Sequence, residues 1–273
     1  MICSTLTIQG VDVFIEGEGP DTLLMIHGWP DTYRLWDSTV QALKQRFRCV
    51  RFTLPGYDLA KPAHAASLLQ MTALIADIVD AVSPAQSVTL VLHDWGCIFG
   101  YEFATRHPER VARIVAVDIG DYNSGAYVRS LSIKAKALLL AYQFWLAVAW
   151  TVGGAIGDAM TRWMARKSGC HAAASAVGWQ MNYPYAMMWF GTLGGFRGAA
   201  QVSHACPVLF IYGKHKPFMF QSANWLARLA ASPGCAVQPF RTGHWVMAQQ
   251  PDAFNQCVGK WLDGQPATVN APK

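Results

Sequence analysis

VTLVLHDWGC, which runs from Val88 to Cys97, is the stretch that decides the fold of this chain. It begins with an apolar run that is typical of a strand buried on both faces. An acid, a tryptophan and a glycine follow this run, and a helical pattern extends from Gly96 to His107. The stretch therefore predicts a strand, a sharp turn at Asp94 and a helix.

The carboxylate of Asp94 indicates a particular kind of chemistry at this turn. Aimed from there at an electrophilic carbon, it would displace a leaving group and form an ester, which water would then hydrolyse. Asp94 has a structural interpretation as well, because acids are favoured as helix N-caps. A cap requires neither the buried strand nor the small Gly96, so the sequence favours the nucleophile.

Short apolar runs alternate with helical patterns along most of the chain. This alternation predicts the α/β fold class, a mostly parallel sheet with helices on both faces. The predicted strands are 22–26, 48–52, 88–92, 111–117, 208–212 and 236–240, after a leading hairpin of 4–8 and 11–16. The predicted helices are 35–44, 66–82, 96–107, 222–231 and 252–262.

The middle of the chain has a different character. Between about residues 121 and 201 the strand signal stops, and the sequence becomes helical, aromatic and rich in alanine and methionine. We expect a helical cap domain there (121–201), inserted into a core domain formed by 1–120 and 202–273. Residues 265–273 are predicted to be a frayed tail.

One segment of the predicted cap, Ala137 to Gly157, carries no charged residue and is long enough to span a bilayer. Spanning would place strands of one sheet on opposite sides of a membrane, and the Gly153-Gly154 pair interrupts the segment. The sequence therefore predicts a buried cap helix. Contact with a membrane surface is the lesser alternative.

Three marks carry a resemblance to a known family. They are His27-Gly28-Trp29-Pro30 after an early strand, His93-Asp94-Trp95-Gly96 at the turn, and Gly243-His244-Trp245 near the C-terminus. In this order and spacing the chain resembles the epoxide hydrolase and haloalkane dehalogenase branch of the α/β-hydrolase superfamily. The resemblance implies the α/β-hydrolase fold with a cap insertion, and a nucleophile at Asp94 on the strand-to-helix elbow.

The resemblance also implies the partners of Asp94. His244 follows the last predicted strand, where the family places its general base. Many relatives carry the third, acidic residue in the turn after the penultimate strand, but Gly213–Pro217 contains two lysines there. The alternative family position, after the strand that follows the elbow helix, holds Asp118, which would orient His244. Asp121 is a nearby rival.

The resemblance implies that two tryptophans stabilise negative charge during the reaction. The backbone N–H groups of Trp29 and Trp95 would bind the oxyanion that forms when water attacks the ester. In dehalogenases the indole after the nucleophile also donates to the departing halide, and Trp29 occupies the place of its asparagine partner. Leu92, two residues before Asp94, departs from the small residue that is common in epoxide hydrolases and is tolerated in dehalogenases.

The resemblance also implies that tyrosines of the cap assist the opening of an epoxide ring. The candidates are Tyr142 and either Tyr185 or Tyr183, with Tyr185 preferred. A core aromatic with a hydrated hydroxyl is the structural alternative for each of them.

The composition of the chain limits the kinds of partner and cofactor that we expect. The net charge of +5 is spread thinly, so we expect no nucleic acid partner. The seven cysteines are scattered without Cys-x-x-Cys spacing, which argues against disulfides and a zinc site and favours a cytoplasmic location. No nucleotide-binding or His-Glu-x-x-His motif occurs, so we expect no cofactor and no metal, with water as co-substrate.

The favoured function is an epoxide hydrolase that converts a small hydrophobic epoxide to a diol. The runner-up is a haloalkane dehalogenase, favoured by Leu92, Asp118 and the two indoles. A fluoroacetate-type dehalogenase is less favoured, because Trp95 stands where such enzymes have an arginine. A ligand-binding protein without catalysis, supported by the Lys214-His215-Lys216 turn, is the minor alternative.

Overall fold

The computed structural model describes residues 3–203 and 205–264, with an eight-stranded sheet at the centre. Its strands are β1 Cys3–Ile8, β2 Val11–Glu16, β3 Thr22–Ile26, β4 Arg48–Phe52, β5 Val88–His93, β6 Val111–Val117, β7 Val208–Gly213 and β8 Ala236–Phe240. Their order is β1-β2-β4-β3-β5-β6-β7-β8, antiparallel from β1 to β4 and parallel beyond. The predicted mostly parallel sheet and its leading hairpin are confirmed. The predicted tail lies outside the described residues.

The α-helices of the described residues fill the connections. They are α1 Asp37–Leu43, α2 Leu68–Val82, α3 Trp95–Arg106, α4 Gly125–Ser130, α5 Ile133–Val152, α6 Gly154–Lys167, α7 Tyr183–Phe190, α8 Ala223–Ala231, α9 Val246–Gln249 and α10 Pro251–Leu262. Helix α2 begins two residues later than predicted, because Ser67 and Gln70 cap its first turn reciprocally. The predicted helix 35–44 is divided into a 3-10 turn, Tyr33–Trp36, and α1.

Both faces of the sheet are covered, which explains why its strands are apolar without alternation. In β5, Leu90 and Leu92 point into a core shared with α2 and α3, whereas Val91 points into a second core shared with α1 and α10. Each face removes one alternate set of side chains from water. The predicted helices on both faces are confirmed.

The parallel strands deliver polar residues to one edge of the sheet. Asp94 follows β5 and Asp118 follows β6, and these strands pair in register, with His93 opposite Val117. His244 follows β8 after three intervening residues. Because parallel strands end at the same edge, the three side chains converge there, although they lie far apart in the sequence.

An insertion of helices α4 to α7 separates β6 from β7. These two strands nevertheless pair directly, with Ile114 opposite Val208, so the chain leaves the sheet and returns to the same place. Helix α5 is long and apolar enough to cross a membrane, with a mean hydropathy of 1.3 over its best window. The pairing of β6 with β7 excludes a single crossing by α5, since both ends of the insertion return to one sheet.

The prediction of a buried cap helix in this region is wrong in one respect. Helix α5 forms and ends at Gly153, whose φ of 63° breaks the run as expected. Only four of its 20 residues are buried, namely Ala135, Leu146, Ala147 and Ala149. The apolar composition suggested burial, but α5 packs mainly on α6 and α7 and leaves one side open to solvent.

Candidate active site

The elbow between β5 and α3 holds Asp94 in a conformation that two glycines make accessible. Asp94 has φ 52° and ψ −123°, a region that non-glycine residues rarely occupy. A Cβ on Gly28 would lie 2.4 Å from the Asp94 Cβ, and a Cβ on Gly96 would lie 2.2 Å from the Ile26 carbonyl oxygen. The strained backbone turn at Asp94 is thus packed against neighbouring segments, which leave no room for a side chain at position 28 or 96.

The departure at Leu92 has a structural compensation that the sequence analysis missed. Gly100 lies on α3 above Leu92, and a Cβ there would come within 2.5 Å of the leucine Cδ2. The room that a small residue before the nucleophile would leave is therefore provided by Gly100, six residues after Asp94. A glycine inside a helix, four residues beyond Gly96, was the signal that pointed to a close packing contact.

The two carboxylate oxygens of Asp94 face different partners. Oδ1 accepts a hydrogen bond of 2.6 Å from the backbone N–H of Trp29, and Oδ2 lies 3.3 Å from His244 Nε2. Trp95, beside it, is the first residue of α3, whose first amides have no acceptor within the helix. An ester formed through Oδ2 would leave Oδ1 as the oxygen that becomes an oxyanion, next to these donors.

His244 is held by a carboxylate on each side. Its Nδ1 lies 2.5 Å from Asp118 Oδ2, and the other oxygen of Asp118 accepts from the Gly213 N–H at 3.0 Å. Burial alone would lower the pKa of His244, but Asp118 and Asp94 outweigh it and raise the pKa to about 9. The imidazole is therefore protonated at neutral pH while Asp94 is ionised.

Lys216 is a further member of this cluster, in the turn where many relatives carry the acid. Its Nζ donates to Asp118 Oδ1, and its side chain is 5% exposed. Burial lowers the pKa of Lys216, whereas Asp118 raises it. Burial would raise the pKa of Asp118, but Lys216 and His244 overcome this and keep it low. The lysine thus supports the acid, a pairing that its sequence position did not reveal.

The rival acid Asp121 has other partners. Its carboxylate accepts from the backbone N–H and the hydroxyl of Ser222, each at 2.7 Å, and from the Ser124 hydroxyl. Ser222 caps α8 and Ser124 caps α4. Asp121 therefore ties the start of the insertion to α8, and Asp118 is the candidate that contacts His244.

Two buried histidines flank the cluster. His27 accepts from the Leu54 N–H at 3.0 Å, and burial lowers its pKa to about 4. The His93 ring lies 4.5 Å from that of His244, and burial lowers its pKa to about 3. Both are neutral at pH 7, so His244 is the charged imidazole of this group.

The indole groups of Trp29 and Trp95 already have partners on the insertion. Trp29 Nε1 donates to Asn182 Oδ1 at 2.8 Å, and the Asn182 amide donates to Thr161 at 2.7 Å. The Trp95 ring packs edge-on against Tyr185, with ring centroids 5.1 Å apart. The backbone N–H of Trp29 thus donates to Asp94 Oδ1, whereas the Trp29 indole, predicted as a halide donor, is committed to Asn182 of the insertion. Asn182 gave no sequence signal.

The structure separates the three candidate tyrosines. Tyr142 and Tyr185 line the same cavities as Asp94, with ring centroids 6.1 Å apart. Burial, reinforced by the charge of Asp94, raises the pKa of both, so their hydroxyls keep their protons. Tyr183 packs edge-on against Tyr57 and lines neither cavity.

Two cavities, of about 340 and 360 Å³, meet at Asp94. Both are lined by Tyr142, Tyr185 and Phe220 as well. The first extends between Lys167 and the turn that carries Lys216, and the second runs between mainly apolar residues of α5 and α7. The site thus has room for a small apolar molecule on either side of the carboxylate.

Asp31 is a buried acid next to the site that the sequence analysis did not weigh. Its Oδ2 accepts from the Trp245 indole at 2.8 Å, and burial raises its pKa to about 7. It anchors the residue that follows His244. Across residues 3–203 and 205–264, no group of three or more His, Cys, Asp and Glu side chains is placed to hold a metal ion.

Comparison with known proteins agrees with this fold. A family model described as alpha/beta hydrolase fold matches residues 21–251. The protein named Probable oxidoreductase EphD from Mycobacterium tuberculosis is 33% identical over 117 residues, which is 40% of this chain and 20% of that protein. Epoxide hydrolase 1 from Caenorhabditis elegans is 27% identical over 127 residues, 44% of this chain and 31% of that protein. The chain therefore spans only about a fifth to a third of these relatives.

Solved structures match over nearly the whole chain. An epoxide hydrolase from Bacillus megaterium in complex with an inhibitor superposes with a TM-score of 0.68 at 22% identity, over 95% of this chain and 100% of that one. A loop variant of the haloalkane dehalogenase DbeA from Bradyrhizobium elkanii has a TM-score of 0.68 at 17% identity, over 96% and 97% of the two chains. At these identities the likeness concerns the fold.

Proposed function

We propose that this chain, which belongs to the α/β-hydrolase fold family, is a hydrolase that opens a hydrophobic epoxide through an ester on Asp94. One observation carries the proposal. A single carboxylate has one oxygen on the Trp29 N–H and the other beside His244, in a cavity lined by Tyr142 and Tyr185. The names of the Caenorhabditis elegans relative and the Bacillus megaterium structure support the same chemistry.

In the first step, Oδ2 of Asp94 attacks an oxirane carbon and the carbon–oxygen bond breaks. The electron pair passes to the ring oxygen, which takes a proton from Tyr142 or Tyr185. Because burial raises the pKa of both tyrosines, they donate hydrogen bonds to the substrate without ionising beforehand. A protonated His244 keeps Asp94 ionised until this attack, since burial alone would raise the carboxyl pKa.

In the second step, water attacks the Asp94 carbonyl carbon. Esterification removes one of the two negative charges that raise the pKa of His244, so the imidazolium gives its proton to the tyrosinate left by the first step, and His244 then takes a proton from the attacking water. The negative charge then moves to Oδ1, beside the backbone N–H groups of Trp29 and Trp95. In the collapse the ester C–O bond breaks, the leaving alkoxide takes the proton from His244 and departs as the diol, and the Asp94 carboxylic acid returns its own proton to His244.

The runner-up is a haloalkane dehalogenase. Its support is the Trp95 indole beside Asp94, together with the fold likeness to DbeA. Halide stabilisation would require the Trp29 indole to release Asn182. The epoxide proposal keeps this bond as it is, with Tyr185 packed edge-on against the Trp95 ring.

The proposal includes the domain roles and the compartment. Residues 121–201 act as the cap domain over a core domain of 1–120 and 202–273, and the substrate is small and hydrophobic. Several cysteines of the described residues are free thiols, among them Cys49 and Cys97, which suits the cytoplasm.

A matched pair of substrates tests the chemistry. We expect 1,2-epoxyhexane to yield the diol, and 1-bromohexane to release bromide more slowly. Turnover of the bromide alone would favour the dehalogenase, and turnover of neither would contradict both proposals.

A single turnover in ¹⁸O-water tests the intermediate. We expect the label in the peptide that contains Asp94, because water attacks the carboxyl carbon. Labelled diol with an unlabelled peptide would indicate direct attack by water and exclude the ester. With His244→Gln, the ester should accumulate as a mass increase of the intact protein.

A further inference from the structure

Exposed apolar side chains are concentrated on the insertion. Among the described residues, 14 large hydrophobic side chains are exposed, and all but Leu6 and Leu69 lie between Val128 and Leu193. Scattered exposed hydrophobics are ordinary on a protein surface, but a concentration on one part of the molecule indicates a contact surface.

Aromatic contacts join these side chains across three helices. On α5, Ile133, Leu140 and Phe144 recur at helical spacing on the open side. Phe144 packs against Phe190 of α7, with ring centroids 5.9 Å apart. On the other flank, Trp145 of α5 lies 5.1 Å from Trp163 of α6. We call the exposed side chains of α5, α6 and α7 the apolar face.

The same insertion carries the net positive charge of the molecule. Residues 121–201 contain seven Lys and Arg but two Asp and Glu, a balance of +5 that equals the net charge of the whole chain. One acid, Asp121, is buried on serines, and the other, Asp158, pairs with Arg162. The insertion thus has no exposed acid that is free to oppose its cations.

The cations gather at one end of the α5–α6 hairpin. Lys134 and Lys136 lie at the start of α5, and Arg166 and Lys167 at the end of α6, which runs back along it. Within the described part of the chain, none of the four lies within ion-pairing distance of a carboxylate. The rest of the hairpin is uncharged from Ala137 to Gly157, and its opposite end exposes Val152 and Ile156.

We propose that the apolar face docks on the surface of an anionic phospholipid bilayer. Its tryptophan, phenylalanine and aliphatic side chains enter the headgroup region, while the four cations bind lipid phosphates. A second copy of this chain fits the face less well, because a twofold contact would bring two insertions of charge +5 together. The docking does not depend on the proposed reaction.

The second cavity gives the docking a use that rests on the proposed function. Its walls include Lys136, Leu139, Leu140 and Met188, of which Leu140 and Met188 also belong to the apolar face. A hydrophobic substrate dissolved in the bilayer would then reach Asp94 without crossing water.

Co-sedimentation with vesicles tests the docking without any catalysis. We expect the protein to bind large unilamellar vesicles of equal parts phosphatidylglycerol and phosphatidylcholine. Binding should fall at least about tenfold with phosphatidylcholine alone or with 0.5 M added salt, because the surface charge is then absent or screened. No binding to the anionic vesicles would overturn the proposal.

Two matched double variants locate the contact. Ile133→Glu/Phe144→Glu replaces side chains that are 88% and 48% exposed on the apolar face, and Leu6→Glu/Leu69→Glu replaces ones that are 38% and 65% exposed elsewhere. We expect the first pair to lose binding about tenfold and the second to retain it. Equal behaviour of the two pairs would contradict the assignment.

A charge variant decides the question if the first pair fails to fold. Lys134→Glu/Arg166→Glu changes two exposed cations outside both cavities and should also reduce vesicle binding about tenfold. Retained binding would overturn the proposal. Light scattering of the lipid-free protein adds a last check, since a dimer that Ile133→Glu/Phe144→Glu dissociates would show that a second copy covers the face.

Discussion

The cavity has a strand-end side, formed by the residues that follow β5, β6 and β8, and an insertion side, formed by helices α5 and α7. The two sides hold their polar groups in different ways. On the strand-end side, Asp94, Asp118 and His244 are fixed by short loops after buried strands and bond to one another and to backbone amides. On the insertion side, Tyr185 is held by edge-on ring contacts with Trp29 and Trp95, and Tyr142 lies on a helix that is mostly exposed.

This difference teaches where the chemistry and the selectivity reside. Charged groups in a low-dielectric site need fixed, fully paired surroundings, and only the ends of a packed sheet supply them here. Neutral hydroxyl groups tolerate a looser support. We therefore expect changes on the strand-end side to abolish turnover, and changes on the insertion side to reduce it or to alter binding.

The largest effect is expected on the strand-end side, from Asp118→Asn. The amide cannot stabilise protonated His244, so kcat for 1,2-epoxyhexane should fall by about 10³ to 10⁴. Steady-state kinetics checks this.

Asp121→Asn is the matched control for Asp118→Asn, because Asp121 bonds to Ser124 and Ser222 and not to His244. It should cost about 1 to 2 kcal/mol in the free energy of unfolding by urea and change kcat less than about threefold. Equal losses of kcat for the two variants would remove the distinction between the acids.

The insertion side should show an intermediate effect. Tyr142→Phe and Tyr185→Phe remove hydroxyl donors from the cavity, so each should lower kcat for epoxides by about 10- to 100-fold. Burst kinetics should assign the loss to ester formation, because the tyrosines act before hydrolysis. Tyr183→Phe lies outside the cavities and should leave kcat unchanged. A comparable loss with Tyr183→Phe would refute the assignment.

Lys216→Met sharpens the electrostatic part of the comparison. Removing this cation leaves the charge of Asp118 unopposed, which raises the pKa of His244 above about 9. Because hydrolysis needs the unprotonated imidazole, the rising limb of the hydrolysis rate against pH should move by about one unit to higher pH. Lys214→Met, an exposed neighbour in the same turn, should leave the limb in place. A shift to lower pH would refute the role of Lys216.

The smallest effect concerns packing beneath the elbow. Gly100→Ala places a Cβ 2.5 Å from Leu92, which should cost about 1 to 3 kcal/mol in the free energy of unfolding. The double variant Leu92→Ala/Gly100→Ala should recover part of this loss relative to the sum of the two single variants, because it relieves the clash. Strict additivity in urea unfolding would show that the two residues do not share this space.

Much of the strand-end side could be predicted from the sequence, because residues close together in the sequence determine its strands and its elbow. The apolar run before Asp94 and the glycines at 28 and 96 specify a buried strand and a tight elbow. The order of strands then brings Asp118 and His244 to one edge. Lys216 could not be placed, since its bond to Asp118 joins residues 98 apart that meet only through the pairing of β6 with β7.

The insertion was predicted less well for a physical reason. Composition predicts how apolar a helix is, but not which neighbours cover it. Helix α5 was therefore expected to be buried, although α6 and α7 cover only part of its surface. Which of Tyr142, Tyr183 and Tyr185 line the cavities at Asp94 likewise depends on how α5 and α7 are rotated about their axes.

The sequence by itself determined the α/β class, the elbow with its carboxylate, and the set of residues from which the site is built. These follow from periodicity and steric limits that act within a few residues. Only the tertiary structure decided that Asp118 rather than Asp121 meets His244, that Lys216 supports it, that the Trp29 indole bonds to Asn182 of the insertion, and that an apolar, cationic face remains open. Each of these depends on contacts between distant segments, whose geometry is fixed when the whole chain packs.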